Sequence, residues 1–219
     1  MVNFSATEEN YIKAIFHLQG EKEVINTNEL AASLKTSAAS VTDMLKKLRK
    51  KEIVDYKAYY GCKLTDRGRS IALHIIRRHR LWEYFLSQKL GFDWNEVHEV
   101  AEELEHVSSE KLIEKLDSFL GHPRFDPHGD PIPDATGKIE ELQALSLADA
   151  EEHKSYLVVK VHHQSAKLLE LLRQKNIAIG TILSLKKKIS FDNSVEVEID
   201  TVLQTFSQKT AKNILVQAL

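Results

Sequence analysis

Hydrophobic positions recur every three to four residues through the first half of the chain and every second residue through much of the last third, so helices should give way to strands. Tyr11, Ile12, Ile15, Phe16 and Leu18 predict a helix from Thr7 to about Gln19, ended by Gly20. Asn26 or Thr27 is placed to cap a short helix in NELAASL. Thr36 or Ser37 can cap a longer one, with Val41, Met44, Leu45 and Leu48 at helical spacing. The segment IVDYKAYYGCKLT is rich in β-formers and carries Gly61 near its middle, which predicts a hairpin. Thr65 then opens a long helix from Asp66 to about Leu90. Asp93 is expected to cap a helix through Val107, and Ser108 or Ser109 another through about Leu120. Further on, YLVVKV, TILSLKK, SVEVEI and TVLQTF are strand candidates, and AKLLELLRQK is an amphipathic helix.

All four prolines fall in GHPRFDPHGDPIPDATG, where neither regular helix nor central strand can continue. The expected fold is mainly α with a small β part, in four segments. Residues 1–65 form a winged helix-turn-helix, and residues 66–122 a helical domain. Residues 123–152 form a proline-containing linker, and residues 153–219 a small β-barrel with one helix.

Composition narrows the class. The chain has 219 residues, a net charge of -2 and one cysteine, Cys62, which excludes an internal disulfide and cysteine-rich zinc modules. No apolar run reaches the ~18 residues of a membrane span, so no membrane partner is expected. The start, MVNFSATEENYIKAIF, lacks a basic region followed by an apolar core, which reads as a mature cytoplasmic chain. The near-neutral total hides an asymmetry. Lys35 to Arg80 holds thirteen Lys/Arg against four Asp/Glu, whereas Leu81 to Glu152 holds five against eighteen. One part is suited to a polyanion and the next to cations, unless both are simply solvated helical faces.

A short helix, a turn, a longer helix and a hairpin make a winged helix-turn-helix, whose second helix enters the DNA major groove by its N-terminal end. That end offers Ser37, Ala38, Ala39, Ser40 and Thr42, small and hydroxyl side chains that permit close approach to base edges. Lys46 and Lys47 follow, and the hairpin adds Lys57, Tyr59 and Tyr60 for backbone or minor-groove contact.

In HEVAEELEHV, His98, Glu102, Glu105 and His106 stand at offsets 0, +4, +7 and +8, within one helix face about 100° wide. Val97, Val100, Leu104 and Val107 occupy another face. His79 and Glu83 repeat the i, i+4 arrangement on the preceding helix. Carboxylates and imidazoles without thiolates suit Mn²⁺ or Fe²⁺, and Zn²⁺, Co²⁺ or Ni²⁺ are expected to substitute in vitro. Enzyme motifs fail. Glu103 and His106 give one Glu-x-x-His without the second that a di-iron bundle needs, and there is no phosphate loop or nucleophile elbow.

Taken in order, these parts resemble the diphtheria-toxin-repressor family of iron- and manganese-dependent bacterial repressors. The resemblance runs through TEENYIKAI, the winged helix, RRHRLWEYFL, VHEVAEELEHVSS and DPHGDPIP, roughly residues 5–133. The C-terminal part is similar, by pattern alone, to that family's SH3-like, FeoA-type domain. The resemblance implies a homodimeric metal-dependent repressor of metal-homeostasis genes, acting on double-stranded operator DNA. It also implies a primary metal site at Asn10, Glu102, Glu105 and His106. An ancillary site would use His79, Glu83 and His98, with His162, His163 and Gln164 as candidates from the last domain. Leu81, Phe85, Leu86 and Trp94 on and after the long helix are the expected dimer contacts. The chain departs from both known types. Iron-type members have methionine and cysteine where Asn10 and Glu102 stand. Manganese-type members have aspartate and glutamate there, and glutamate where this chain has Lys13. Glu102 leans toward Mn²⁺ while His79, Glu83 and His98 keep the iron-type ancillary set, so both ions stay open. The alternatives are a winged-helix regulator answering a small molecule, and a metal-buffering or metal-dependent enzyme.

Overall fold

Ser5, not Thr7, starts the first helix. The computed structural model describes residues 4–20, 22–94, 96–106, 109–140, 142–162 and 165–219. Helix α1 spans Ala6–Gln19, and a capping box closes its start: Ser5 Oγ accepts from the Glu8 amide while the Glu8 carboxylate accepts from the Ser5 amide. Asn26 and Glu29 build the same device on α2, Thr27–Ser33. Ser37 caps α3, Ala38–Lys50. Replacing Asn26 with alanine removes a donor's only cap and is expected to cost about 1 kcal/mol, read as a lower urea midpoint at unchanged slope.

Strands β1, Val54–Lys57, and β2, Gly61–Leu64, form the antiparallel hairpin, with Val54 opposite Leu64. Gly61 opens β2 rather than lying mid-turn. Its φ is +115°, and a Cβ there would meet the Ile25 carbonyl oxygen at 2.4 Å. That close approach lets Ile25 and Cys62 exchange both backbone hydrogen bonds at 2.9 Å. Cys62 is buried, and burial pushes its thiol up to about 11. Ile12, Ile15, Leu30, Val41, Leu45, Leu48 and Ile53 complete the core around it. Thr65 Oγ1 accepts from the Gly68 amide and caps α4, Asp66–Leu90.

The chain divides into two compact units: Met1–His79 with Leu104–Ser109 and Pro133–Lys138, and Arg80–Glu103 with Glu110–Ile132 and Ile139–Leu219. Helix α4 is divided between them after His79. Helix α5, Val97–Glu105, begins three residues later than a cap at Asp93 would place it. The Asp93 carbonyl instead accepts from the Glu96 amide and closes a turn. The expected helix end at Val107 and the cap option at Ser108 lie outside the described residues. Helix α6 spans Glu110–Phe119. Leu81, Ile113, Leu116 and Ile132 form a small core within the second unit.

The C-terminal part is one antiparallel six-stranded sheet. Its strands are β3 (Leu145–Ser146), β4 (Lys154–Val161), β5 (Ile182–Lys188), β6 (Val195–Ile199), β7 (Val202–Phe206) and β8 (Ile214–Ala218), in the order β3-β8-β4-β5-β6-β7. Register shifts between Val158 and Lys160, and between Leu185 and Lys187, sharpen the bend of β4 and β5. One face closes over Tyr156, Val158, Leu183, Leu185, Val195, Val197, Phe206, Ile214 and Val216, together with Leu169 and Leu172 of α7, Ala166–Gln174. The sequence reading missed β3, the short α8 at Gln208–Ala211, and β8, which pairs with both β3 and β4.

Candidate metal centre

In the first unit the metal-capable groups converge from three segments. Helix α1 presents Glu9, Asn10 and Lys13 within little more than one turn. Helix α4 presents Arg78 and His79, and the end of α5 presents Glu105, followed by His106. Glu105 is fully buried. Its Oε1 lies 2.7 Å from Lys13 Nζ and its Oε2 lies 2.6 Å from His79 Nδ1. Burial alone would push this carboxyl up, but His79 and the Lys13 ammonium hold it below the usual carboxylate range. Glu9 takes His106 Nδ1 at 2.8 Å and Arg78 at 2.6 Å.

That bond fixes the role of His106. With Nδ1 turned to a carboxylate, Nε2 is the nitrogen left to offer its lone pair, the arrangement that orients imidazoles on metals. His106 Nε2 and Asn10 Oδ1 are both buried and make no hydrogen bond among the described residues. Glu105 Oε1 is the carboxylate oxygen beside His106 Nε2, at 3.6 Å. An orphaned imidazole nitrogen next to a buried carboxylate fits a hard or borderline divalent cation, and no thiolate is present to favour a soft one.

The second unit holds the other predicted ligands. Glu83 is buried, with Oε1 3.2 Å from His98 Nδ1, while His98 Nε2 lies 3.6 Å from Glu102. Thus Asn10, His79, Glu105 and His106 of the prediction belong to the first unit, and Glu83, His98 and Glu102 to the second. His163 and Gln164 lie outside the described residues. His162 is exposed, with its amide donating to the Asn213 carbonyl.

The second unit also contains a cluster that sequence reasoning missed. Glu83, Asp126 and His128 are all buried, and each offers a ligand atom within 4.8 Å of the others. Asp126 and His128 come from the proline-rich stretch read as linker, which here is a tight turn. Asp126 Oδ1 accepts from the His128 and Asp130 amides, and the His128 carbonyl accepts from the Val161 amide on β4. His128 Nε2 donates to the Trp94 carbonyl at 2.6 Å, while Trp94 stacks on the imidazole. Its Nδ1 is therefore the acceptor, and it is buried without a hydrogen bond among the described residues. Burial first, then the charges of Glu83 and Asp130, push the Asp126 carboxyl well above its ordinary range, against the opposing Arg80. Two buried carboxylates and an imidazole with a free lone pair, gathered within 4.8 Å, are groups a cation can hold together. The only sequence clue was Asp-Pro-His-Gly-Asp itself, an acid and an imidazole two residues apart in a turn.

The expected DNA-facing residues are placed together in the first unit. Ser37 caps α3, and Ala38, Ala39 and Ser40 are exposed on its first turn. Thr42 Oγ1 is spent on the Ala38 carbonyl. Lys46 pairs with Asp43, and Lys47 with the buried Glu8, which also takes Lys51. Tyr59 and Tyr60 are exposed at the hairpin tip, with Lys57 Nζ 4.1 Å from the Tyr60 ring centroid. Of the expected dimer contacts, Leu81 and Leu86 are buried inside the chain itself, and Trp94 packs on His128. Phe85 instead joins Trp82 and the exposed Phe119 in an aromatic group.

Comparison with known proteins matches three consecutive segments of the chain. Residues 3–62 match the iron dependent repressor N-terminal DNA binding domain, residues 65–134 its metal binding and dimerisation domain, and residues 145–218 the FeoA domain. The chain is 30% identical over 205 residues to the diphtheria toxin repressor of Corynebacterium efficiens, covering 93% of this chain and 84% of that one. The chain belongs to the iron-dependent repressor family. Its members are DNA-binding transcriptional repressors, not enzymes. The iron-dependent repressor IdeR of Mycobacterium tuberculosis is 32% identical over 127 residues, 58% of this chain and 55% of the relative, so the match spans about half of that protein. Among solved structures, a manganese-dependent transcriptional repressor complex with manganese superposes with a TM-score of 0.86 at 32% identity, covering 97% of this chain and all of the other. Among the described residues no helix is long and apolar enough to cross a membrane.

Proposed function

We propose that this chain is a cytoplasmic, homodimeric repressor whose operator binding is activated by Mn²⁺ or Fe²⁺. The observation that carries the reading is the orphaned His106 Nε2, 3.6 Å from an oxygen of the buried Glu105, in the unit where Asn10 Oδ1 is also buried without a hydrogen bond among the described residues. Asn10, Glu102, Glu105 and His106 are assigned as the primary ligands. His79, Glu83 and His98 are the ancillary set, and Glu83 is shared with Asp126 and His128. A bound divalent cation would give the unpaired lone pairs of His106 and Asn10 a partner. Asn10 stands on α1, whose Glu8 grips Lys47 and Lys51 at the end of α3, so restraint on Asn10 passes directly to the DNA-reading helix. Ser37 to Ser40 then face the major groove, and Lys57, Tyr59 and Tyr60 the backbone beside it. Residues 1–65, 66–122, 123–152 and 153–219 serve as DNA-binding, metal-binding and dimerising, connecting and SH3-like segments. Phe85 and Phe119 are the aromatic side chains a second copy can reach.

Fluorescence anisotropy against DNA from upstream of metal-transport genes tests the reading at one fixed salt concentration. Tight binding in Mn²⁺ or anaerobic Fe²⁺, at least tenfold weaker in chelator, is the expected result, on the order of 1.4 kcal/mol of coupling or more. Equal affinity in both conditions would discard metal activation.

A further inference from the structure

The first-unit pocket is already balanced in charge before any metal enters it. Its two carboxylates, Glu9 and Glu105, each have a basic side chain in contact. Arg78 lies 2.6 Å from Glu9, and Lys13 lies 2.7 Å from Glu105. Lys13 is an unusual residue to find there, only 9% exposed on the buried face of α1. Buried lysines persist where they are paired, and Lys13 is paired to a carboxylate with no solvent exposure at all.

The two cations do not stand in equivalent places. Arg78 takes Glu9 Oε1, while Glu9 Oε2 orients His106 through Nδ1, so the arginine supports a side chain that in turn faces the pocket. Lys13 takes Glu105 Oε1, the same oxygen that lies 3.6 Å from the orphaned His106 Nε2. The ammonium and an incoming cation must therefore divide one carboxylate oxygen. Asn10, on the same turn of α1, adds an oxygen but no negative charge to offset a second cation.

We propose that Lys13 is a tethered rival to the metal ion: its ammonium holds Glu105 in the metal-free protein and sets the metal concentration at which the pocket fills. A chain carrying its own cation in the ligand set responds only when the free metal is high enough to outcompete or displace it, and it has room for one divalent charge rather than two. Lys13 is thus a positioning and specificity-determining residue, acting through Glu105. The inference rests on the metal reading of this pocket given under Proposed function.

The test is calorimetric titration of Mn²⁺ into metal-free full-length protein, which reads metal affinity and stoichiometry directly. His106→Ala identifies which binding event belongs to the pocket. In Lys13→Met, which keeps the apolar stem and removes the charge, that event is expected to tighten about tenfold or more, while the other events keep their affinities. Lys13→Arg retains the charge and is expected to stay near the wild type. A pocket event unchanged or weakened in Lys13→Met would overturn the proposal, as would an Arg variant that behaves like the Met variant, since shape and not charge would then be responsible. Circular dichroism of the metal-free variants checks the fold, and Lys13→Gln replaces the Met variant if the latter is not folded. A wild type with no His106-dependent event defeats the metal reading of the pocket and the role of Lys13 with it. A normal wild-type event that ignores Lys13→Met defeats the role of Lys13 alone.

Discussion

His106→Ala protein is expected to fold normally and to bind operator DNA no more tightly in saturating Mn²⁺ than in chelator. The substitution removes the Nε2 lone pair, a buried acceptor without a hydrogen bond among the described residues. It leaves Glu9 with its Arg78 partner at 2.6 Å, so no buried carboxylate is stripped of positive charge. The cost to folding is then roughly that of one hydrogen bond, about 1 kcal/mol, and the metal-free unfolding curve should shift little. Metal affinity at the pocket should fall by on the order of a hundredfold, because outer partners alone are worth about 10–100-fold and His106 is a direct ligand in the proposal. Anisotropy with and without chelator, together with urea unfolding of the metal-free form, separates the two effects. Retained metal activation would remove His106 from the ligand set.

The second large effect is on the turn that carries Asp126 and His128. Gly129 has φ +83°, and a Cβ there would lie 2.0 Å from the Val159 carbonyl oxygen and 2.7 Å from Lys160 Cα. Both obstacles are backbone, so no side-chain rotation relieves them. The turn would have to lift from β4, breaking the bond between the Val161 amide and the His128 carbonyl and stretching the Asp130–Lys160 ion pair, now 2.6 Å. Gly129→Ala is therefore expected to destabilise the second unit by on the order of 3 kcal/mol, combining overpacking with left-handed backbone strain. It should lower the thermal transition by roughly 10 °C. It should also weaken metal binding at Glu83, Asp126 and His128. A wild-type transition temperature would show that the turn has room to move.

Much of this was legible from periodicity and capping chemistry. Asn26, Ser37 and Thr65 cap the helices that their side chains suggested, because an N-cap is a local bargain between one side-chain oxygen and one amide within three residues. Leu81 and Leu86 were harder. An apolar residue on a helix reads the same whether it meets its own core or a second copy, and the partners that bury Leu81, including Ile113 and Ile132, are more than thirty residues away. The stripe of Glu102, Glu105 and His106 was visible from helical spacing alone, whereas Glu9 was not. Its importance comes from reaching His106 across 97 residues, which no local pattern encodes. Asp126 and His128 were hidden for another reason. Prolines around them signal irregular backbone, and irregular backbone is ordinarily exposed, yet this turn is held against β4 and the amides of Asp126, His128, Gly129 and Asp130 are bonded within it. Strand β8 was within reach, since Ile214 and Val216 alternate inward, but it is short and follows a single helical turn.

The burial of Cys62 makes this chain convenient for distance spectroscopy. With its thiol pushed up to about 11, Cys62 stays protonated near neutral pH, and its sulfur is shut inside the core. Maleimide or methanethiosulfonate reagents should pass it over, so a thiol placed at the fully exposed wing-tip position of Tyr59 would take the label alone. Two such labels in a homodimer would report the separation of the wings as metal is titrated, without first removing the native cysteine from the core.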